Sequence, residues 1–275
     1  MSRQPSARSV SPLALLKAGA EGPALFLTHG IGGTLLDFVP LLEHIQLPHS
    51  IHGMRAHGSD GDCEPLDSIE AMAEAYLEAI KRVQPSGPYF LIGYSLGGLV
   101  AFETAQLLLK RGEQVGLLAM VDSYPHLFRL SARQRVRLLK RLAKRRAQSA
   151  LEAMTSGRAD RSRPVRGVNA LPPERALSLA MARVRSSANR ALRRYRPRFY
   201  NGAIKFVQAE VSTNFPDNPR AVWAHLAADF TVETVPGDHV EMLTRHSERL
   251  AAVLMGHMGE RSAEEAGLQG RESRR

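Results

Sequence analysis

The stretch YFLIGYSLGGLVAF, residues 89–102, decides the fold. Its first part, Tyr89–Tyr94, is a short aromatic and aliphatic run that predicts a buried central strand. The residues Leu96–Arg111 predict a helix, and Gly112 follows as a C-terminal stop signal. A G-x-S-x-G pentapeptide, Gly93–Gly97, joins the two. Such a turn lifts a serine hydroxyl free of the sheet, and its glycines remove Cβ atoms that would clash, so we predict Ser95 as a nucleophile.

Strand and helix patterns alternate on both sides of this turn. Short apolar runs predict further strands at Ala24–His29, Ser50–Ala56, Val115–Val121, Ala203–Gln208 and Phe230–Val235. Helices are predicted at Asp37–Ile45, from a cap at Asp67 with Glu70 three residues later to about Val83, and at Val240–His257. Alternation of this kind predicts an α/β protein with a mostly parallel sheet and helices on both of its faces.

Composition excludes several classes of protein. The chain has 275 residues, of which 44% are apolar and 23% charged, as expected for a folded α/β domain. A single cysteine, Cys63, excludes an internal disulfide framework and a multi-cysteine metal site, and no other metal motif is present. The apolar run near the N-terminus is interrupted by Lys17, and the uncharged stretch Val83–Phe102 contains prolines and glycines. We therefore predict no signal peptide, no membrane span and a cytoplasmic location.

Charge is distributed unevenly along the chain. Residues 126–200 contain 21 Lys and Arg against 3 Asp and Glu, whereas the other 200 residues contain 16 against 24. Within this basic insertion, two helical patterns, Ser131 to Met154 and Arg175 to Tyr195, flank a Gly/Arg/Pro stretch. The predicted organisation is a disordered arm (1–12), a core (13–125 and 201–258), a basic helical insertion (126–200) and a mobile tail (259–275).

An oxyanion hole needs two backbone donors near the serine. The Leu96 amide lies at the predicted helix start and is one candidate. The second is Ile31, in the loop His29-Gly30-Ile31-Gly32-Gly33 after an early strand. A dinucleotide-binding loop is rejected, because Leu35 stands where that motif requires its third glycine.

A base and an orienting acid complete a serine-hydrolase site. Among ten histidines, His239 alone combines a late position, a strand end and a glycine turn, in Gly237-Asp238-His239. Asp122 follows the strand after the nucleophile helix, and Glu210 follows the next strand, where the acid of this arrangement is more usual. Asp238 is too close to the base in sequence to fold back on it. We favour Asp122 over Glu210 as the acid.

The motifs together resemble the thioesterase domains of nonribosomal peptide synthetases and polyketide synthases. The resemblance covers about Ser11–Met258 with a divergent insertion, and includes these segments: Met54–Gly58, Gln84–Tyr89, Gly93–Gly98, Leu118–Ser123, Tyr195-Arg196-Pro197 and Pro236–His239. It implies an α/β-hydrolase fold in which residues 126–200 form a helical lid. It also implies Ser95 as nucleophile, His239 as base, Asp122 as acid, and the Ile31 and Leu96 amides as oxyanion donors.

The resemblance further implies a reaction and a partner. Ser95 would attack a thioester on the phosphopantetheine of an acyl or peptidyl carrier protein, or on coenzyme A, and water or a group of the chain itself would release the product. No cofactor is implied. The basic insertion is either a solvated helix face or a dock for an acidic carrier or for phosphates; nucleic-acid recognition is disfavoured, because few aromatics accompany the arginines. A carboxylesterase or lipase, and a non-catalytic binding protein, remain the alternatives.

Overall fold

The structure is a computed structural model that describes residues 11–20, 22–156, 173–212 and 215–258. The predicted disordered arm is therefore described only at residues 11 and 12. The predicted mobile tail, 259–275, and the Gly/Arg/Pro stretch from 157 to 172 lie outside the described residues.

A seven-stranded sheet forms the centre of the molecule, in the order β1-β3-β2-β4-β5-β6-β7. The strands are β1 (Leu13–Lys17), β2 (Leu25–Thr28), β3 (Ile51–Met54), β4 (Tyr89–Tyr94), β5 (Val115–Val121), β6 (Tyr200–Val211) and β7 (Ala227–Asp238). Only β1 is antiparallel to its neighbour, and every other pair is parallel. The predicted mostly parallel sheet is confirmed. Strand β1 was not predicted, because a short edge strand shows neither full burial nor clean alternation.

Seven helices accompany the sheet in the described part of the chain, besides short 3-10 turns. They are α1 (Val39–His44), α2 (Ile69–Val83), α3 (Leu96–Lys110), α4 (Ala132–Ser156), α5 (Pro173–Arg194), α6 (Pro219–Trp223) and α7 (247–258). Helices α4 and α5 lie between β5 and β6, where the basic insertion was predicted. No helix in the described ranges combines the length and the apolarity that crossing a bilayer requires. The cytoplasmic location stays a prediction.

Two predicted helix starts were wrong. Ser68, not Asp67, caps α2: its backbone is extended and its hydroxyl accepts a hydrogen bond from Ala71 N at 3.1 Å. Asp67 instead forms an ion pair with Arg194 of α5, 3.0 Å away. The last helix begins at residue 247 rather than at Val240, because the chain first forms turns over residues 239–246.

Alternation along β4 distributes side chains to two separate cores. Tyr89 and Leu91 pack on one face of the sheet, with α2 and α3. Phe90, Ile92 and Tyr94 pack on the other, with α1 and α7. The sheet is thus covered on both faces, which fixes the carboxyl ends of its strands as one rigid edge where ligands bind in such folds.

Candidate active site

The turn after β4 holds Ser95 in a strained conformation. Its backbone has φ 56° and ψ −120°, and φ is positive at only one other non-glycine residue of the described ranges, Asp122. A hydrogen bond from Ser95 N to Val121 O at 2.9 Å stabilises this strained conformation. Backbone strain of this kind costs about 1–3 kcal/mol and persists only where the surroundings enforce it. The structure therefore places a strained turn at Ser95, and the role of Ser95 as nucleophile stays a prediction.

The flanking glycines are required by close backbone packing. A Cβ on Gly93 would lie 2.2 Å from Gly97 O, and one on Gly97 would lie 2.3 Å from the carbonyl oxygens of Thr28 and His29. Neither approach is possible for a larger residue without moving the backbone. Gly93 and Gly97 thus let α3 start directly against the end of β2, which brings the predicted oxyanion loop beside Ser95.

The structure brings Asp122 to His239. Asp122 follows β5, is 2% exposed, and its Oδ2 accepts a hydrogen bond from His239 Nδ1 at 2.7 Å. Its other oxygen lies 3.4 Å from Ala209 N, which donates to it. Because a carboxylate only accepts, Nδ1 carries a proton in this contact, and in the neutral tautomer with that proton Nε2 is free to act as a base. Glu210, the alternative acid, is exposed at the end of β6 and makes no contact with His239.

Two aromatic rings hold the His239 imidazole. Tyr94 stacks on it with ring centroids 4.7 Å apart, and Phe215 packs against it at 4.6 Å. The Tyr94 hydroxyl donates to His239 O at 2.8 Å, and burial, with a smaller effect of nearby carboxylates including Asp122, raises the pKa of that hydroxyl so that it stays a donor. The imidazole can therefore face the cavity without swinging away from Asp122.

Phe215 is itself held by the inserted helix α4. Arg141 of α4 donates to Phe215 O, and its guanidinium lies 3.4 Å from Asp217. The Phe215 ring also stacks on Tyr124, with ring centroids 5.5 Å apart. Helix α4 thus contributes to the position of the imidazole although it lies outside the sheet.

Ser95 and His239 line one cavity of about 690 Å³. Ile31, Met181 and Val240 are apolar members of the same lining. No hydrogen bond joins the serine hydroxyl to His239 among the described residues; such contacts often tighten only when substrate binds. The cavity gives an acyl group access to the hydroxyl, the imidazole and the oxyanion loop together.

The two predicted oxyanion donors lie beside the serine. Leu96 opens α3, and the first amides of a helix have no partner within it. Ile31 lines the cavity, in a loop turned by a hydrogen bond from Gly33 N to Gly30 O at 3.0 Å. Their role as donors stays a prediction.

His29 stabilises the loop 29–33 through buried hydrogen bonds. It is 1% exposed, with Nδ1 2.6 Å from Gly30 O and Nε2 2.7 Å from the Tyr76 hydroxyl. Burial lowers the pKa of His29 to about 4, so the ring is neutral. Its two nitrogens contact Gly30 O and the Tyr76 hydroxyl, which itself donates to Arg55 O at 3.1 Å. His29 is thus a structural support of the loop and not a second base.

Sequence reasoning missed Tyr94, Phe215 and Arg185 as parts of the site. Tyr94 is the variable residue of the pentapeptide, and Phe215 lies in a loop without any pattern, so neither gave a signal. Arg185 lies on the exposed side of α5 in a segment rich in arginine, so it gave no signal either.

Comparisons with known proteins identify a family. Residues 23–256 match the family model described as Thioesterase domain. Relatives include malpibaldin synthetase of Mortierella alpina, 43% identical over 108 residues, which are 39% of this chain and 2% of that protein. A dimodular nonribosomal peptide synthase of Bacillus subtilis (strain 168) is 38% identical over 113 residues, which are 41% of this chain and 5% of the relative. The aligned regions are thus a small fraction of these long proteins.

Solved structures show the same fold. The NocB thioesterase domain, crystallised as a covalent complex with a fluorophosphonate nocardicin G analog, has a TM-score of 0.63 and 23% identity, with 87% of this chain and 96% of that chain covered. A four-domain nonribosomal peptide synthetase bound to AMP and glycine has a TM-score of 0.66 and 23% identity, with 90% of this chain and 20% of that chain covered. The predicted α/β-hydrolase architecture is shared with these domains.

Proposed function

Since the chain belongs to the thioesterase domain family, we propose that it is a serine thioesterase that releases acyl or peptidyl chains from phosphopantetheine. One observation supports this most directly. The Asp122–His239 hydrogen bond of 2.7 Å lies at the same cavity as the strained Ser95. A neutral imidazole oriented by a buried carboxylate is the base that a serine nucleophile requires.

The reaction proceeds through an acyl-enzyme. Ser95 Oγ attacks the thioester carbon while His239 Nε2 takes its proton, and the amides of Ile31 and Leu96 stabilise the oxyanion. The thiol leaves with the proton from His239. Water, or an amine or hydroxyl of the chain itself, then attacks the ester with His239 again as base, which frees Ser95. No step needs a cofactor bound to this chain.

The partner in this proposal is an acyl or peptidyl carrier protein, or coenzyme A. The relatives named above are nonribosomal peptide synthetases, which supports a carrier. Exposed cationic residues of the lid also support it, because carriers that are acidic would be attracted to them. Those in the described residues include Arg133, Lys140, Lys144, Arg183 and Arg193.

The nucleophile is tested by labelling with a fluorophosphonate followed by intact-mass measurement. We expect one adduct on the wild type and none on Ser95→Ala. Ser123→Ala is a matched control, because Ser123 is buried at the end of the neighbouring strand and its hydroxyl has no partner among the described residues. Equal labelling of the wild type and Ser95→Ala would exclude Ser95 as the nucleophile and would favour a non-catalytic binding protein with this fold.

The substrate class is tested by turnover of matched esters. An acyl-N-acetylcysteamine thioester and the p-nitrophenyl ester of the same acid share the acyl group and differ in the leaving group. We expect a higher kcat/KM for the thioester. A higher value for the oxygen ester would make the protein a carboxylesterase or lipase instead.

A further inference from the structure

One arginine of α5 lies beside the helix face that packs on the core. Met181, Val184 and Ala188 form an i, i+3, i+7 stripe, in which Val184 and Ala188 are buried. Arg185 follows Val184 on the neighbouring, exposed side of the helix. An accessible guanidinium is either paired with a carboxylate of the protein or available to bind another anion.

Three arginines that follow Arg185 in the sequence have carboxylate partners. Arg190 and Arg194 lie 3.8 and 3.0 Å from the Asp67 carboxylate. Arg198 lies 2.8 Å from Glu103. Among the residues that the structure describes, no carboxylate lies within ion-pair distance of Arg185. The structural function of holding the helix is thus performed by its neighbours and not by Arg185.

Arg185 instead lines the cavity that contains Ser95 and His239. Ile31 and Val240 give the lining an apolar character, and Asp37 is its one carboxylate among the described residues but makes no ion pair with Arg185. A guanidinium offers a planar set of donors that fits a carboxylate or phosphate in a bidentate manner. The cavity therefore offers an unpaired cation near the atoms that would react.

We propose that Arg185 is a specificity-determining residue that binds an anionic oxygen group of the substrate. The group is either a carboxylate on the acyl chain or the phosphate of the phosphopantetheine arm, and both offer the same paired oxygen acceptors. This inference rests on the proposed thioesterase function, and it adds a preference for anionic substrates that the triad alone does not supply.

Two pairs of thioesters test this and distinguish the two sources. Hexanoyl- and adipoyl-N-acetylcysteamine differ by a terminal carboxylate and lack any phosphate. Hexanoyl-pantetheine and hexanoyl-phosphopantetheine differ only by the phosphate. The kcat/KM for each is measured with the wild type, Arg185→Met, Arg185→Lys and, as a control, Arg183→Met, which removes the same charge from the same helix away from the cavity lining.

Arg185→Met should lower kcat/KM for the anionic member of one pair about 10- to 50-fold and change its neutral partner by less than about twofold. Arg185→Lys should keep part of the preference, since it keeps the charge but not the planar donors. Arg183→Met should keep the full preference for the anionic substrate. The pair that responds identifies whether the acyl carboxylate or the arm phosphate is bound.

If Arg185→Met lowers kcat/KM equally for both members of each pair, or for none of the four thioesters, the role of Arg185 is overturned. The proposed thioesterase function is unaffected by either result. Failure of the wild type to hydrolyse any of the four thioesters would overturn the proposed function, and this inference with it. The two failures are thus separated by the turnover of the neutral substrates.

Discussion

The sheet and the inserted helices are held in place by different forces. Strand β4 is buried along its whole length and packs apolar side chains into a core on each face. Helix α5 buries mainly small residues, such as Ala180, Ala188 and Ala191, and its C-terminal end is held by two arginines that pair with Asp67. Apolar burial is insensitive to salt, whereas exposed ion pairs are screened by it.

This difference separates the groups that would react from those that would select the substrate. The groups that would carry out the chemistry, Ser95 and Asp122, lie at the rigid strand ends, where backbone hydrogen bonds fix them. The groups that would select the substrate, such as Arg185, lie on the helix that is held more weakly. A site divided in this way can admit chains of different shape without losing the alignment of acid and base.

The largest expected effect concerns Asp122, which lies at the rigid strand ends. Asp122→Asn should lower kcat about 10³- to 10⁴-fold, because an amide cannot hold the His239 tautomer that leaves Nε2 free. Glu210→Gln, which removes the exposed acid at the end of β6, should leave kcat within about twofold. Steady-state turnover of an acyl thioester measures both. If Glu210→Gln were the more damaging change, the acid would be assigned to Glu210.

A smaller effect on stability should come from His29. Its pKa is lowered by burial to about 4, so below pH 6.5 the unfolded chain binds a proton that the folded chain does not. Stability is therefore complete above pH 6.5 and falls as pH decreases towards 4, by about 3 kcal/mol in total.

Urea denaturation at pH 7 and pH 4 of the wild type and His29→Gln measures this effect. The variant should be less stable at pH 7 but should lose less stability on acidification, by about the same 3 kcal/mol. The pKa values of His52 and His126 are lowered in the same direction, mainly by burial. Both residues are present in both proteins, so their contributions to the pH dependence of stability cancel in the comparison. Parallel losses in the two proteins would exclude a neutral buried His29.

The smallest effect concerns the weakly held helix. Asp67→Asn removes the carboxylate that pairs with Arg190 and Arg194, and should cost less than about 1 kcal/mol, because the Asp67 side chain is 47% exposed. It should nevertheless raise KM for an acyl thioester at low salt and have no effect at high salt. Glu78→Gln, which breaks the exposed pair with Arg111 outside the insertion, is the control. Equal KM changes in both variants would argue against a distinct role for the α5 pairs.

Much of the sheet and of the site could be predicted from the sequence, because both depend on local patterns. A buried run such as Tyr89–Tyr94 is bounded by glycines, and Ser95 and His239 each follow a strand. The choice between Asp122 and Glu210 is a matter of tertiary geometry, since Asp122 follows β5 and Glu210 lies at the end of the neighbouring parallel strand β6. Phe215 acts through a loop conformation that no periodicity encodes.

The contact between Gly33 and Val184 links the two regions. A Cβ at Gly33 would lie 2.6 Å from the Val184 side chain, so α5 rests directly on the loop that contains Ile31. Any side chain at position 33 would therefore have to displace the loop, the helix or both. The absence of a Cβ at this one residue is what allows the insertion and the sheet edge to approach so closely.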